Sequence, residues 1–325
     1  MRSAWFIGVV TIFLLTGLSF LPLETLLRSI VLDDTFYYAK IAQNIKHHGK
    51  VSFDGVHETN GFHPLWSVAI LPLTYIASNG EELLRAILLL NGVFSGTAAG
   101  LLWYLFRRHS SSSLEALLAW FITILFYYAN WILFCGMEGG LVLLLLMTAL
   151  IGYERLLRQP NLRREAILGV SLGLLFLSRL DALFLWVGIA LSYFLREKNL
   201  SAAISGLRIG FISLIFPTSY LLLNDLFFGH PLPTSALIKM NQGSMPEHIS
   251  HLIKALLRFF RAYENPLWIL LFLILSIGIG WMTVQRISKQ LIVSPLEVAL
   301  FSAAIGHAAI VVVTVGRIYP WYLFF

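Results

Sequence analysis

The run Ala4-Trp5-Phe6-Ile7-Gly8-Val9-Val10-Thr11-Ile12-Phe13-Leu14-Leu15 stays apolar to about Leu27. It is followed closely by Leu32-Asp33-Asp34-Thr35-Phe36-Tyr37-Tyr38. A helix needs about twenty apolar residues to cross roughly 30 Å of hydrocarbon, and this run supplies them. Ionised groups are costly inside a bilayer and concentrate where they have work to do, so two adjacent carboxylates here mark the water boundary.

The same texture extends along the whole chain, which is 58% hydrophobic and 12% charged. Its apolar runs are continuous blocks rather than short alternating stretches, which excludes a membrane β-barrel and predicts an all-α, polytopic integral membrane protein. The first run, 4–27, is too long for the h-region of a signal peptide and ends without a small-x-small cleavage site. It reads as an uncleaved signal anchor. Further spans are expected near 83–106, 114–134, 140–154, 166–178, 182–195, 203–223, 267–284 and 296–315, nine in all. Segment 64–78 is apolar but short and opens at His63-Pro64, so it lies along the surface or re-enters without crossing.

Charge orients the bundle. If 64–78 does not cross, the basic loops around Arg107-Arg108-His109, Arg155 to Arg164, Arg196-Glu197-Lys198 and Arg286 to Lys289 all fall on the side of Arg2. The positive-inside rule then predicts a cytoplasmic N-terminus for a multi-pass membrane protein. Residues 1–325 read as a single transmembrane domain with two long outer loops, 28–82 and 224–266. The cytoplasmic connections are short and carry no Gly-rich phosphate loop, so direct use of a nucleotide is not expected. Nucleic acid is not among the expected partners; the lipid bilayer is. The sequon at Asn199 falls on the cytoplasmic side. The lone Cys135 excludes an internal disulfide and reads as a buried, inert thiol.

Ionisable groups gather at the outer face in a few places. Asp34 is suited to cap a helix running to about His48, with Gly49 ending it. The loop from Lys50 to Pro64 is dense in turn formers and hydrogen-bonding groups, among them His57, Glu58, Asn60 and His63. Asp33 and Asp34 read either as a cap paired with Arg28 or Lys40, or as a general base or divalent-metal pair. Glu138 reads either as a favourable charge at the start of the helix from Gly140 or as a site residue. Arg179 and Asp181 either neutralise each other across a turn, pair with another loop, or serve a site. Lys239, Lys254, Arg258 and Arg261 read either as a solvated face or as a phosphate contact.

These segments carry a resemblance. Asp33-Asp34-Thr35-Phe36-Tyr37-Tyr38-Ala39, Asn44, Gly49, Phe53-Asp54-Gly55 and Thr59-Asn60-Gly61-Phe62-His63-Pro64-Leu65-Trp66 resemble the first outer loop of the GT-C glycosyltransferases. The likeness is to the branch of bacterial arabinofuranosyltransferases, protein mannosyltransferases and lipid A aminoarabinose transferases. Cys135-Gly136-Met137-Glu138-Gly139-Gly140, Leu177-Ser178-Arg179-Leu180-Asp181-Ala182 and Phe228-Gly229-His230-Pro231-Leu232-Pro233-Thr234, with Lys239, resemble later landmarks of that group.

The resemblance implies a GT-C fold with surface-lying helices and a polyprenyl-phosphate-linked sugar as donor. It also implies a glycan, lipid or protein acceptor, an active site on the outer face and, because the branch is bacterial, a place in the cell inner (plasma) membrane. On that reading Asp34 or Asp33 is the general base, and Glu58, Asn60, His63, Glu138, Arg179, Asp181, Lys239 and Arg317 bind substrate. Asp33, Asp34 and His57 are the candidates for a divalent cation, Mg or Mn. Two departures stand out. Aminoarabinose transferases carry Lys-Pro-Pro where this chain has Phe62-His63-Pro64, and the chain stops at Phe325 where members of the group continue through several more spans, so a C-terminal part is expected to be missing. The competing readings are a transporter or lipid flippase and a non-catalytic membrane scaffold. The one-sided clustering of acids and the lack of matching halves disfavour transport.

Overall fold

The computed structural model describes residues 2–110, 112–129, 134–197 and 200–240. Among these residues there is no strand, only one isolated bridge between Ser52 and Glu58. The helices are α1 (Arg2–Leu18), α2 (Leu23–Ser29), α3 (Asp33–His48), α4 (Pro64–Ile70), α5 (Leu73–Ile76) and α6 (Gly80–His109). There follow α7 (Ser113–Ala129), α8 (Gly139–Arg158), α9 (Leu162–Ser178), α10 (Leu183–Glu197), α11 (Leu200–Phe228) and α12 (Thr234–Met240). Three of them, α6, α8 and α11, are individually long and apolar enough to cross a membrane. The expected spans at 267–284 and 296–315 lie outside the described residues.

The first expected span is corrected. Instead of one helix over 4–27, α1 and α2 meet at a bend of 107°. Pro22 has no N–H to give and disfavours the helical conformation at Leu21, so the i→i−4 ladder stops there. The chain turns as the Ser19 and Phe20 N–H groups donate to the Thr16 and Gly17 carbonyls at 3.1 and 3.2 Å. Arg85 of α6 then donates to the carbonyls of Ser19 and Leu21 at 2.5 and 3.0 Å, clamping the corner.

Segment 64–78 forms α4 and α5, broken at Leu71-Pro72. Together they give about 20 Å of helix, short of the roughly 30 Å a crossing needs. Trp66 and Ile70 are fully buried in a cluster with Tyr38, Ala42, Leu83, Ile87 and Leu141, while Val68, Tyr75 and Ile76 are exposed. Lys46 of α3 donates to the Thr74 carbonyl at 2.6 Å and sits over the Tyr75 ring.

By its contacts the chain divides into one unit of Met1–Ala182 with Ala203–Ala236 and another of Leu183–Ala202 with Leu237–Phe325. In the second unit the described structure consists of α10, the start of α11 and the end of α12. In the first, α1 runs antiparallel to α6 along a glycine seam. A Cβ at Gly96 would lie 2.6 Å from the Ile12 backbone nitrogen, and one at Gly100 would lie 2.8 Å from the Ala4 carbonyl. Close backbone approach of this kind is how helices associate without a hydrophobic driving force between them. Gly169 of α9 receives Ile212 of α11, and Gly173 receives Phe216.

This packing gives the first unit two chemically distinct ends. At one end, Glu154 of α8 binds Arg108 at 2.8 Å, Arg158 at 2.6 Å and His109 at 3.4 Å. Glu165 of α9 binds Arg208 of α11 and Ser205 there. Trp103 of α6 reaches Ser3 of α1 at 3.2 Å, so the chain start and the basic loops share this end. The other end carries α2 to α5, the turn before α8 and the turn after α9.

Candidate functional site

The site is built on α3. Residues 33–48 are helical as expected, and Gly49 closes the helix with φ +65, a conformation glycine adopts without penalty. The cap differs from expectation: Leu32 occupies the N-cap, and Asp33 and Asp34 lie inside the first turn. Both are exposed, and Asp33 accepts the Asp34 N–H at 3.0 Å. The helix dipole favours carboxylates here by about 0.3–1 kcal/mol each. Arg28 is not their partner; it pairs with Glu24 at 2.8 Å.

The turn before α8 is docked against this helix start. The Cys135 carbonyl accepts the Thr35 hydroxyl at 2.7 Å and the Leu32 N–H at 3.4 Å. Gly136 has φ +86, and a Cβ there would overlap the Thr35 side chain, so the close approach requires glycine. Asn91, buried on α6, donates to the Met137 carbonyl at 2.8 Å and fixes the far side of the turn. Cys135 is buried and free, and burial, with the nearby carboxylates adding, pushes its thiol up to about 12. The burial of the thiol is as expected.

Glu138 is thereby delivered into the interior at 2% exposure. It occupies the N-cap of α8 without capping it by its side chain. One carboxylate oxygen lies 3.4 Å from Nη1 of Arg179, whose side chain is 8% exposed, and 3.5 Å from Nε2 of His63, at 29%. The other oxygen, Oε2, is buried and has no hydrogen-bond partner among the described residues. Arg179, at the C-cap of α9, is thus paired with Glu138. The side chain of Asp181 lies outside what is described.

Tyr38 joins this group. It is buried, and its hydroxyl accepts the His63 N–H at 3.3 Å. Its phenol is held well above its usual range by burial first and then by the Glu138 charge; Asp34 pushes the same way, and Arg179 opposes. Asp34 rather than Asp33 is the carboxylate whose charge reaches both Tyr38 and Cys135.

The remaining loop residues have other employment. Asn60, 1% exposed, accepts the Thr234 N–H and hydroxyl at 2.8 and 2.7 Å and donates to the Leu232 carbonyl at 3.4 Å. It latches the first long loop to the segment before α12. Glu58 is exposed, with its backbone in the bridge to Ser52. His57 binds Asp54 at 2.7 Å, and that contact with the Val56 and His57 N–H groups holds the Asp54 carboxyl far below its usual range. Asn44 and Tyr37 fasten this hairpin to α3, through the Ser52 and Phe53 carbonyls and a ring stacked on Phe53.

Asp33, Asp34 and His57, the candidates for a divalent cation, lie among the described residues. Among the described residues no three His, Cys, Asp or Glu groups converge. Lys239 is on α12, with its side chain outside what is described, and Lys254, Arg258, Arg261 and Arg317 are outside the described residues. Sequence reasoning overlooked Tyr38, Thr35 and Asn91. Asn91 left a signal, since a polar amide inside an otherwise apolar helix is rarely without a task. No protein-family model, no curated protein and no solved structure matches this chain.

Proposed function

We propose that the chain is a GT-C-type membrane glycosyltransferase, with nine spans and its site on the outer face, that moves a sugar from a polyprenyl-phosphate carrier to an acceptor hydroxyl. The observation that carries this reading is the meeting of four sequence-distant segments at one end of the bundle. The acidic first turn of α3, the His63 loop, the Glu138 turn and the Arg179 turn share one cluster linked through Tyr38.

The division of labour follows from electrostatics. Asp34 takes the proton from the acceptor hydroxyl as its oxygen attacks the anomeric carbon, since it stands exposed and reachable at a helix start. The bond from that carbon to the phosphate oxygen breaks, and the electron pair leaves on the polyprenyl phosphate. Cations fixed in a water-poor setting stabilise that charge better than solvent does. Glu138 holds Arg179 and His63 in place, and with His63 protonated the trio carries net positive charge toward a phosphate. Lys239 and Arg317 are further candidates for the same role on sequence grounds. Asp33 supports the base, and Asn60 shapes the site by latching its loop.

The test is reconstitution of the purified chain with labelled polyprenyl-phosphate sugars, run beside Asp34→Asn and Asp33→Asn, with and without EDTA. Donor consumption abolished by Asp34→Asn in a folded, inserted protein is the expected result. Absence of donor binding in the parent chain would sink the proposal and favour a transporter or a scaffold.

A further inference from the structure

A groove of about 790 Å³ lies at the other, basic end of the first unit, between α1, α6, α8 and α9. That is within the roughly 300–1,000 Å³ of typical small-ligand pockets. Its wall is largely apolar, and Gly152 leaves space there, since a Cβ on it would meet its nearest neighbour, Leu168, at 3.8 Å. Trp5 and Ile167 on its flanks are 74% and 47% exposed, so it opens sideways from the bundle. Its rim holds Arg155, Arg163 and Arg164, and no carboxylate lines it among the described residues.

The rim arginines differ in how they are used. Arg164 is spent on the end of α8, donating to the Arg155 and Gln159 carbonyls at 3.0 and 2.7 Å. The two acids nearby in sequence are engaged elsewhere, Glu154 by Arg108 and Arg158 and Glu165 by Arg208. Arg155 and Arg163 are exposed and make no side-chain ion pair or hydrogen bond among the described residues. An apolar slot open to the side, ended by uncompensated guanidinium groups, has the chemistry of one amphiphile: a hydrocarbon chain bearing a phosphate.

We propose that this groove seats an acyl chain of an anionic glycerophospholipid from the surrounding leaflet, with its phosphate held by Arg155 and Arg163. The site is distinct from the Glu138 cluster at the opposite end. It rests on the membrane character of the chain and is independent of the transfer chemistry.

Native mass spectrometry of the full chain, released from micelles with equal phosphatidylglycerol and phosphatidylcholine, reads it directly. Preferential retention of phosphatidylglycerol is expected. Each arginine near a lipid surface contributes roughly fivefold, so Arg155→Gln with Arg163→Gln should cut the preference by about 25-fold. Gly152→Leu, which fills the slot and leaves the arginines, should lower retention of both lipids. A Cβ at Gly152 meets Leu168 only at 3.8 Å, an ordinary contact. Should that variant fail to fold, the exposed arginine pair decides alone. Equal retention of the two lipids by the parent chain, or a preference unchanged in the double variant, overturns the proposal. So does displacement of phosphatidylglycerol by free glycerol phosphate, which would mark a phosphate site without a chain groove.

Discussion

Glu138→Gln tests the core of the candidate site. The substitution keeps the volume of the side chain and removes its charge, leaving Arg179 buried without that counter-ion. At an effective dielectric of about 20, unit charges 3.4 Å apart attract by roughly 5 kcal/mol. Removing one partner of a buried pair costs about 3–5 kcal/mol. The separations here, 3.4 and 3.5 Å, exceed the roughly 2.7–2.9 Å of the strongest charge-assisted bonds, so the lower figure, about 3 kcal/mol, is expected. The assay is a double-mutant cycle with Arg179→Gln, in which unfolding in mixed micelles is followed by tryptophan fluorescence. Each single variant should lose about 3 kcal/mol, and the double variant much less than their sum, with a coupling of about 2–3 kcal/mol. Additivity within about 0.5 kcal/mol, with helical content intact, would refute the pairing and with it the positioning of Arg179.

Other consequences are as direct. Gly136→Ala forces a left-handed conformation on alanine and drives its Cβ into Thr35, so it should destabilise the chain by at least about 1–3 kcal/mol in the same unfolding assay. Asn60→Ala removes the acceptor for Thr234 and should cost about 1–3 kcal/mol locally, read as faster amide exchange at 232–235. With its pKa raised to about 12, the Cys135 thiol stays protonated up to that pH. It should resist iodoacetamide at pH 8 until the protein is unfolded. In a Cys135→Ala background, Val56→Cys should react with an impermeant maleimide from outside, and Pro160→Cys should not. Both positions are exposed, whereas Ser52 is buried and unsuited to labelling. Reversed labelling would place the Glu138 cluster on the cytoplasmic side.

Much of the frame was legible in the residue pattern. Long apolar runs, the basic loops and the Gly49 stop all reflect local rules that a linear sequence carries: hydropathy, charge and backbone freedom. The bend at Pro22 was legible too, since proline breaks the helical ladder wherever it falls, yet the continuous hydrophobicity around it masked the signal. Asp33 and Asp34 were noticed because adjacent carboxylates beside an apolar run are conspicuous. What they stand near was not legible at all.

Composition and periodicity by themselves determined that this chain is helical, that it carries helices fit for a bilayer, and that its charges separate into basic loops and acidic turns. Tertiary structure alone decided the pairings. Glu138 could have capped α8 with its side chain, within its own turn; instead it meets an arginine forty-one positions away. The reason is desolvation. Once Gly136 lets its turn pack on Thr35 and draw Glu138 out of water, the buried charge is tolerable only beside a cation. Which cation is available depends on how α3, α8 and α9 meet, a property that no stretch of sequence contains.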